Sequence, residues 1–181
     1  MATVLVPLAH GCEELEAVTI IDLLRRAGIT VTVAGLEAGP VTASRGVVLL
    51  PEITLDEVLE RDFEMVVLPG GLGGAQRLEA DQRITVLLRR MAEQGRYVAA
   101  ICAAPKVLAS AGLLNDREAT AYPGILDDRT DVRLSSAAVV RDGTFITSRG
   151  PGTALDFALS LIEILGGREQ RDTVEAALQR P

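Results

Sequence analysis

The sequence has no tryptophan, one histidine, His10, and two cysteines, Cys12 and Cys102. One imidazole and no CxxC pair leave no ligand set of zinc-site spacing, so no metal is expected, and two thiols make no disulfide framework. Both are expected to stay reduced, in a cytoplasmic protein. Positive charge is also short, with 18 Lys and Arg residues against 25 Asp and Glu and a net charge of −7. Nucleic-acid backbones and anionic membranes attract basic surfaces, so neither is expected as a partner. No apolar run approaches the roughly 18 residues of a membrane span, and residues 1–7 lack the basic start of a secretion signal. Aromatic residues make up only 3% of the chain, so a core must come from Val, Leu, Ile and Ala. A hydrophobic content of 48% over 181 residues is enough for one well-buried domain, 1–181. There is no internal repeat, linker or low-complexity segment.

What is present is an alternation of short apolar runs and amphipathic stretches. Residues 3–8 read as a buried strand, and Glu13 opens a helix that runs to Ala27 and stops at Gly28. Residues 29–34 read as a second strand, parallel to the first because a helix crosses between them. Residues 41–43 and 47–50 look like a short hairpin at an edge. Thr54 and Glu57 have capping-box spacing and predict a short helix there. Residues 63–68 form the next strand, ending in Pro69-Gly70-Gly71-Leu72-Gly73-Gly74, a glycine-rich loop that suits close backbone approach but lacks a phosphate-binding signature. A helix over 82–94 and a strand over 96–101 follow. Beyond them lie a short strand at 119–121, a hairpin around Asp142-Gly143, and helices over 154–165 and 169–178. Such alternation predicts an α/β fold with a doubly wound, mostly parallel sheet flanked by helices, whose ligands bind beyond the carboxyl ends of the strands.

The run Tyr97-Val98-Ala99-Ala100-Ile101-Cys102-Ala103-Ala104-Pro105 is an apolar strand that stops on a cysteine and turns at once into helix-forming residues. Small neighbours on such a turn are the pattern of a nucleophile elbow, where the backbone is crowded. The unpaired N–H groups of a following helix would favour a thiolate and lower its pKa. On this stretch alone, a buried cysteine acting as a small hydrophobe explains the residues equally well. The loops at residues 10–16, 69–74, 102–104, 122–124 and 148–152 all follow strands and should converge on one edge, which favours the reactive reading. Glu13 and Glu14 read as favourable charges at a helix start. Glu16 stands beside that helix's inward stripe, where burial would raise its pKa. His10 reads as an exposed loop residue, which leaves a Cys-His-Asp peptidase triad without its base.

Four blocks carry a family resemblance over essentially the whole chain. Gly11-Cys12-Glu13-Glu14-Leu15-Glu16, Leu68-Pro69-Gly70-Gly71, Ala100-Ile101-Cys102-Ala103-Ala104-Pro105 and Thr147-Ser148-Arg149-Gly150-Pro151-Gly152-Thr153 occur in that order. The chain resembles the ThiJ/PfpI superfamily, in its Parkinson-disease-protein (DJ-one) branch with bacterial relatives. The resemblance implies a flavodoxin-like, class I glutamine amidotransferase-like fold with a nucleophile elbow. It implies a reactive Cys102, a proton-sharing Glu16, and backbone N–H groups of Gly71 and Ala103 as oxyanion donors. It further implies a cofactor-independent glyoxalase III-like lyase or a deglycase, acting on a small aldehyde such as methylglyoxal or on its glycated adducts. A redox-sensing stress protein with chaperone-like behaviour is the alternative, working through the same cysteine. The family's usual state is a homodimer, in which Arg45 would reach across from the partner while Arg149 lies in the same chain, both able to hold an anion. Where several members carry a histidine beside the cysteine, this sequence has Tyr122. A phenol donates a hydrogen bond but is no base at neutral pH, so Tyr122 is expected to line the pocket.

Overall fold

The computed structural model describes residues 2–180. Strand β1, Thr3–Leu8, is followed by helix α1, Glu14–Arg26, and strand β2, Thr30–Gly35. The two strands pair in parallel register from Thr3 opposite Thr30 to Leu8 opposite Gly35. Short strands β3, Val41–Thr42, and β4, Val48–Leu49, form a separate two-stranded sheet, and β5, Ile53–Thr54, returns to the main sheet beside β2. Then come β6, Met65–Leu68, helices α2, Leu72–Ala80, and α3, Gln82–Glu93, and strand β7, Tyr97–Ile101. Helix α4, Pro105–Ser110, follows directly, and β8, Glu118–Ala119, pairs with β9, Arg133–Leu134. The hairpin of β10, Val139–Asp142, and β11, Phe145–Ser148, leads through a 3-10 turn into α5, Ala154–Gly166, and α6, Arg168–Ala177.

The main sheet has the order β10-β11-β7-β6-β1-β2-β5, and only β10 runs antiparallel. The chain winds outward from β1 through β2, then crosses back to β6 and winds the other way, so the order reverses between β1 and β6. In open α/β sheets that reversal opens a crevice at the carboxyl ends of the strands.

Both faces of the sheet are covered. Val4, Val6 and Leu8 of β1 point to one side, against Ala17, Ile20 and Leu24 of α1 and Phe157 and Leu161 of α5. Leu5 points to the other side, into a second core with Val66, Leu68, Val98 and Ala100 under α2, α3 and α4. This alternation along single strands is the period of two that a sheet buried on both faces imposes.

The elements differ from the sequence expectations at several places, one of them the short strand β9, which has no counterpart there. The hairpin of β3 and β4 does not extend the main sheet, whose edge is β5. The Thr54–Glu57 pair forms, with Glu57 accepting from Thr54 N–H at 2.9 Å and from its hydroxyl at 2.7 Å. It closes a series of turns instead of starting a helix, since Thr54 is held in strand β5. The glycine-rich stretch is loop only as far as Gly71, because Leu72-Gly73-Gly74 is the first turn of α2. No described helix is long and apolar enough to cross a membrane.

Candidate active site

Strand β7 ends at Ile101, and Cys102 turns with a φ of 63°, in the left-handed region that side chains avoid. A non-glycine residue there costs about 1–3 kcal/mol and persists only where its surroundings fix it. Two hydrogen bonds do so: Cys102 N–H donates to Ser148 O at 2.9 Å, and Tyr122 N–H donates to Cys102 O at 2.9 Å. The turn thus ties β7 to the ends of β11 and β8. It leaves the cysteine 9% exposed, against 1% for Cys12.

Glu16 lies in the first turn of α1 and is fully buried. Its Oε2 accepts from Gly70 N–H at 2.8 Å, while Oε1 is buried with no hydrogen-bond partner among the described residues. Gly70 explains how the carboxyl and the thiol come together. A Cβ at Gly70 would lie 2.6 Å from Cys102 Cβ and 2.6 Å from Glu16 Oε2, so only glycine lets the three segments close on one another. Gly71, with φ of 85°, is equally constrained, because a side chain there would collide with Gly11 O and lie 2.5 Å from Glu13 N. With that space free, the N–H groups of Gly71 and Ala103 both reach the Cys102 sulfur.

The electrostatics of this cluster are those of a coupled pair. Burial pushes the Glu16 carboxyl up to about 7, against the pull of the Gly70 N–H and the Cys102 thiol. Burial and then the Glu16 charge push the Cys102 thiol up to about 12, against the pull of the Gly71 and Ala103 N–H groups. The thiol is therefore not acidic in the resting site, contrary to the expectation from a helix start. Helix α4 has only six residues and begins at Pro105, beyond the cysteine, and the facing carboxylate outweighs it. Between those two values the pair holds one proton on two sites, and its titration belongs to the pair. Passing that proton from sulfur to Glu16 makes a thiolate with three donors around it: Gly71, Ala103 and the carboxyl itself.

The remaining candidates lie at graded distances from this centre. Tyr122 lies beside it: a Cβ on Gly150 would lie 3.2 Å from Tyr122 Cδ2 and 4.0 Å from Cys102 Sγ. Arg149 lines the adjoining cavity of about 330 Å³ with Tyr122, Leu134 and Ser135, and its Nη1 donates to Ser136 O at 3.2 Å. Arg45 is exposed on the turn between β3 and β4, outside the cluster. His10 is exposed, its Nδ1 accepting from Thr42 N–H at 3.0 Å. Cys12 is pushed up to about 11 by burial and by Glu14, Glu13 and Glu16. Among the described residues no cluster of His, Cys, Asp and Glu gathers to hold a metal.

Residues 2–164 match the family described as the DJ-1/PfpI family. The chain belongs to that family. Protein DJ-1 homolog B of Arabidopsis thaliana is 44% identical over 169 residues, which cover 92% of this chain and 39% of the plant protein. The chain thus spans about two fifths of that relative. The crystal structure of Drosophila melanogaster DJ-1beta superposes with a TM-score of 0.96 at 43% identity, covering 99% of this chain and 98% of the fly chain. A Caenorhabditis elegans relative named glutathione-independent glyoxalase DJR-1.2 is 33% identical over 96% of this chain and 92% of its own.

Two residues of this DJ-1/PfpI site escaped the sequence reading. Gly70 was only one glycine among several, and nothing in its neighbourhood distinguishes the one that separates a carboxyl from a thiol. By sequence Glu14 is a charge at a helix start, yet it is 9% exposed and gathers the hairpin turn. It accepts from the Ser44 hydroxyl at 2.9 Å and from Arg45 N–H at 2.8 Å. These bonds hold its carboxyl below the usual range despite burial. Three neighbouring glutamates look alike in a sequence, and only the fold shows that Glu16 is buried beside a thiol while Glu13 and Glu14 both accept from the Ser44 hydroxyl of the hairpin turn, at 2.8 Å and 2.9 Å.

Proposed function

We propose that this chain is a cysteine-dependent, cofactor-independent stress-protective enzyme of the glyoxalase or deglycase type, working as one domain on methylglyoxal or its adducts. The observation that carries the reading is the buried Glu16 carboxyl set against Cys102 across Gly70, with the Gly71 and Ala103 N–H groups at the sulfur. A relative named a glutathione-independent glyoxalase supports the substrate class.

In the proposed reaction the Cys102 thiol adds across the aldehyde C=O of methylglyoxal. Sulfur bonds to carbon, and the thiol proton passes through Glu16 to the new oxygen. Until that proton arrives, the negative charge developing on the oxygen is stabilised by the Gly71 and Ala103 N–H groups, donors whose positions are fixed before the reaction. Glu16, with a pKa of about 7, is suited to take the proton from the former aldehyde carbon and return one to the neighbouring ketone carbon, while the hydroxyl proton passes from the first oxygen to the ketone oxygen. That internal transfer leaves a thioester of a 2-hydroxy acid. Water then cleaves the C–S bond, releasing lactate and restoring the thiol, so no outside oxidant or reductant enters.

A redox-sensing role is the second reading, favoured by the unpartnered Glu16 Oε1, since a protonated carboxyl there could hold an oxygen added to the sulfur. One experiment separates the two. Steady-state methylglyoxal consumption by the wild type, lost in Cys102→Ser and in Glu16→Gln, supports the enzyme. No turnover, together with peroxide placing two oxygens on Cys102 while Cys12 stays unmodified, supports the sensor. No turnover and equal oxidation of both cysteines would sink both readings.

We also propose that the chain forms a homodimer through the apolar side chains exposed on α1 and on the hairpin: Leu15, Val18, Val47, Val48 and Leu50. They lie on the elements that flank Arg45, so a partner seated there would meet the Arg45 side chain. That is the one route by which Arg45 could serve a site from which its own chain holds it apart.

A further inference from the structure

A second cavity, of about 350 Å³, opens beyond the carboxyl ends of β1 and β2, among residues the proposed chemistry does not use. Leu8, Leu36, Pro40, Val41 and Ala80 form its apolar walls. Arg77 and His10 supply its donors. Arg77 Nη1 is pinned by two backbone carbonyls, His10 O at 3.1 Å and Gly73 O at 3.2 Å, while its Nε and Nη2 have no protein partner among the described residues. His10 Nδ1 accepts from Thr42 N–H, which puts the proton of the neutral ring on Nε2 as a further donor.

The charge around this cavity is not balanced evenly. The two acids on its rim, Asp81 and Glu37, are both taken by Arg83, at 2.6 Å and 3.7 Å. Among the described residues Arg77 has no carboxylate partner. A guanidinium held by one nitrogen, with Nε and Nη2 both free to donate, matches the two oxygens of a single carboxylate. The acidic rim disfavours a dianion such as phosphate, and the walls require an apolar body on the anion.

We propose that this cavity binds a small monocarboxylate with an apolar body, branched or aromatic, whose carboxylate sits on Arg77 and His10. The site is independent of Cys102. Its lining includes none of Cys102, Glu16, Gly70 and Gly71, which makes it a second ligand site at the strand ends.

The test is an NMR titration of the full chain with benzoate, 3-methylbutanoate, the neutral isostere benzamide, and inorganic phosphate. The expected result is saturable shifts from benzoate and 3-methylbutanoate confined to amides in residues 8–10, 36–41 and 77–81. Benzamide and phosphate should bind at least tenfold more weakly. Arg77→Gln should weaken benzoate at least tenfold. Ala38→Phe, at an exposed cavity residue, should block binding with the rest of the spectrum unchanged, which keeps the test meaningful if Arg77→Gln unfolds. Absence of saturable shifts, equal binding of benzamide or phosphate, shifts centred on Cys102, or unchanged benzoate affinity in both variants would overturn the proposal.

Discussion

Gly70 separates two groups that would otherwise find no common space, and its missing side chain decides that Glu16 titrates against Cys102 and not against water. The consequence is a division of roles among residues that look similar in sequence. Cys12 and Cys102 are both buried and both pushed up, but Cys12 has no acid that shares its proton and lies in the core under α1. Glu13, Glu14 and Glu16 likewise divide, the first two onto Ser44 of the hairpin turn and the third onto the thiol. Tyr122 tests where the chemistry stops. Its ring lies beside Gly150, next to the cysteine, and the residue is 52% exposed, so we place its hydroxyl outside the proton path. Tyr122→Phe should therefore change methylglyoxal turnover less than tenfold, a barrier change under about 1.4 kcal/mol. A loss as large as that of Cys102→Ser would put the phenol in the mechanism.

Helix α2 shows what an element requires that its sequence hides. Two glycines in a first turn are poor helix formers, and Leu72-Gly73-Gly74 reads as loop on propensity. Packing overrides propensity here: a Cβ on Gly74 would lie 2.7 Å from both Cys12 Cα and Cys12 N, so the helix start can close on the β1–α1 loop only without one. Gly74→Ala should destabilise the chain by about 1–3 kcal/mol, the usual cost of overpacking. Gly152→Ala, where a Cβ meets nothing within 4 Å, should cost far less. Urea unfolding of the two variants checks this, and equal midpoints would refute the packing argument. The longer elements were legible because periodicity and terminating glycines mark them: β1 over Thr3–Leu8, the α1 stop before Gly28, the hairpin at Asp142-Gly143. The elements that sequence reading missed are short or held by distant partners. Strand β5 exists only through its pairing with β2, and β9 only through β8. The elbow at Cys102 was legible from its small neighbours, but the direction of its thiol pKa was not, because that depends on a carboxylate from another element.

At the scale of the molecule, the site is a product of the strand order. Glu16 follows β1, Gly70 and Gly71 follow β6, and Cys102 follows β7, so the reversal between β1 and β6 delivers the carboxyl and the thiol to one crevice. The apolar face of α1 and the hairpin extends the same logic to a partner. Light scattering at micromolar concentration should give about twice the 19.2 kDa of one chain, and a value of one chain would end the dimer proposal. The shared proton is the property of the assembled fold that the whole account rests on. Below about 7 the pair carries two protons and the thiolate form is lost; above it one proton remains, shared, until the thiol titrates near 12. Replacing Glu16 by Gln removes both the charge and the hydrogen bond that raise the thiol, so the Cys102 pKa should fall and the step near 7 should vanish. The direct measurement is the rate of Cys102 alkylation by iodoacetamide against pH, in wild type and Glu16→Gln. The wild type should show a rise through about pH 7 to a plateau and a second rise at high pH, and the variant a single rise. One step in both proteins, with the same midpoint, would show that Glu16 and Cys102 do not share a proton.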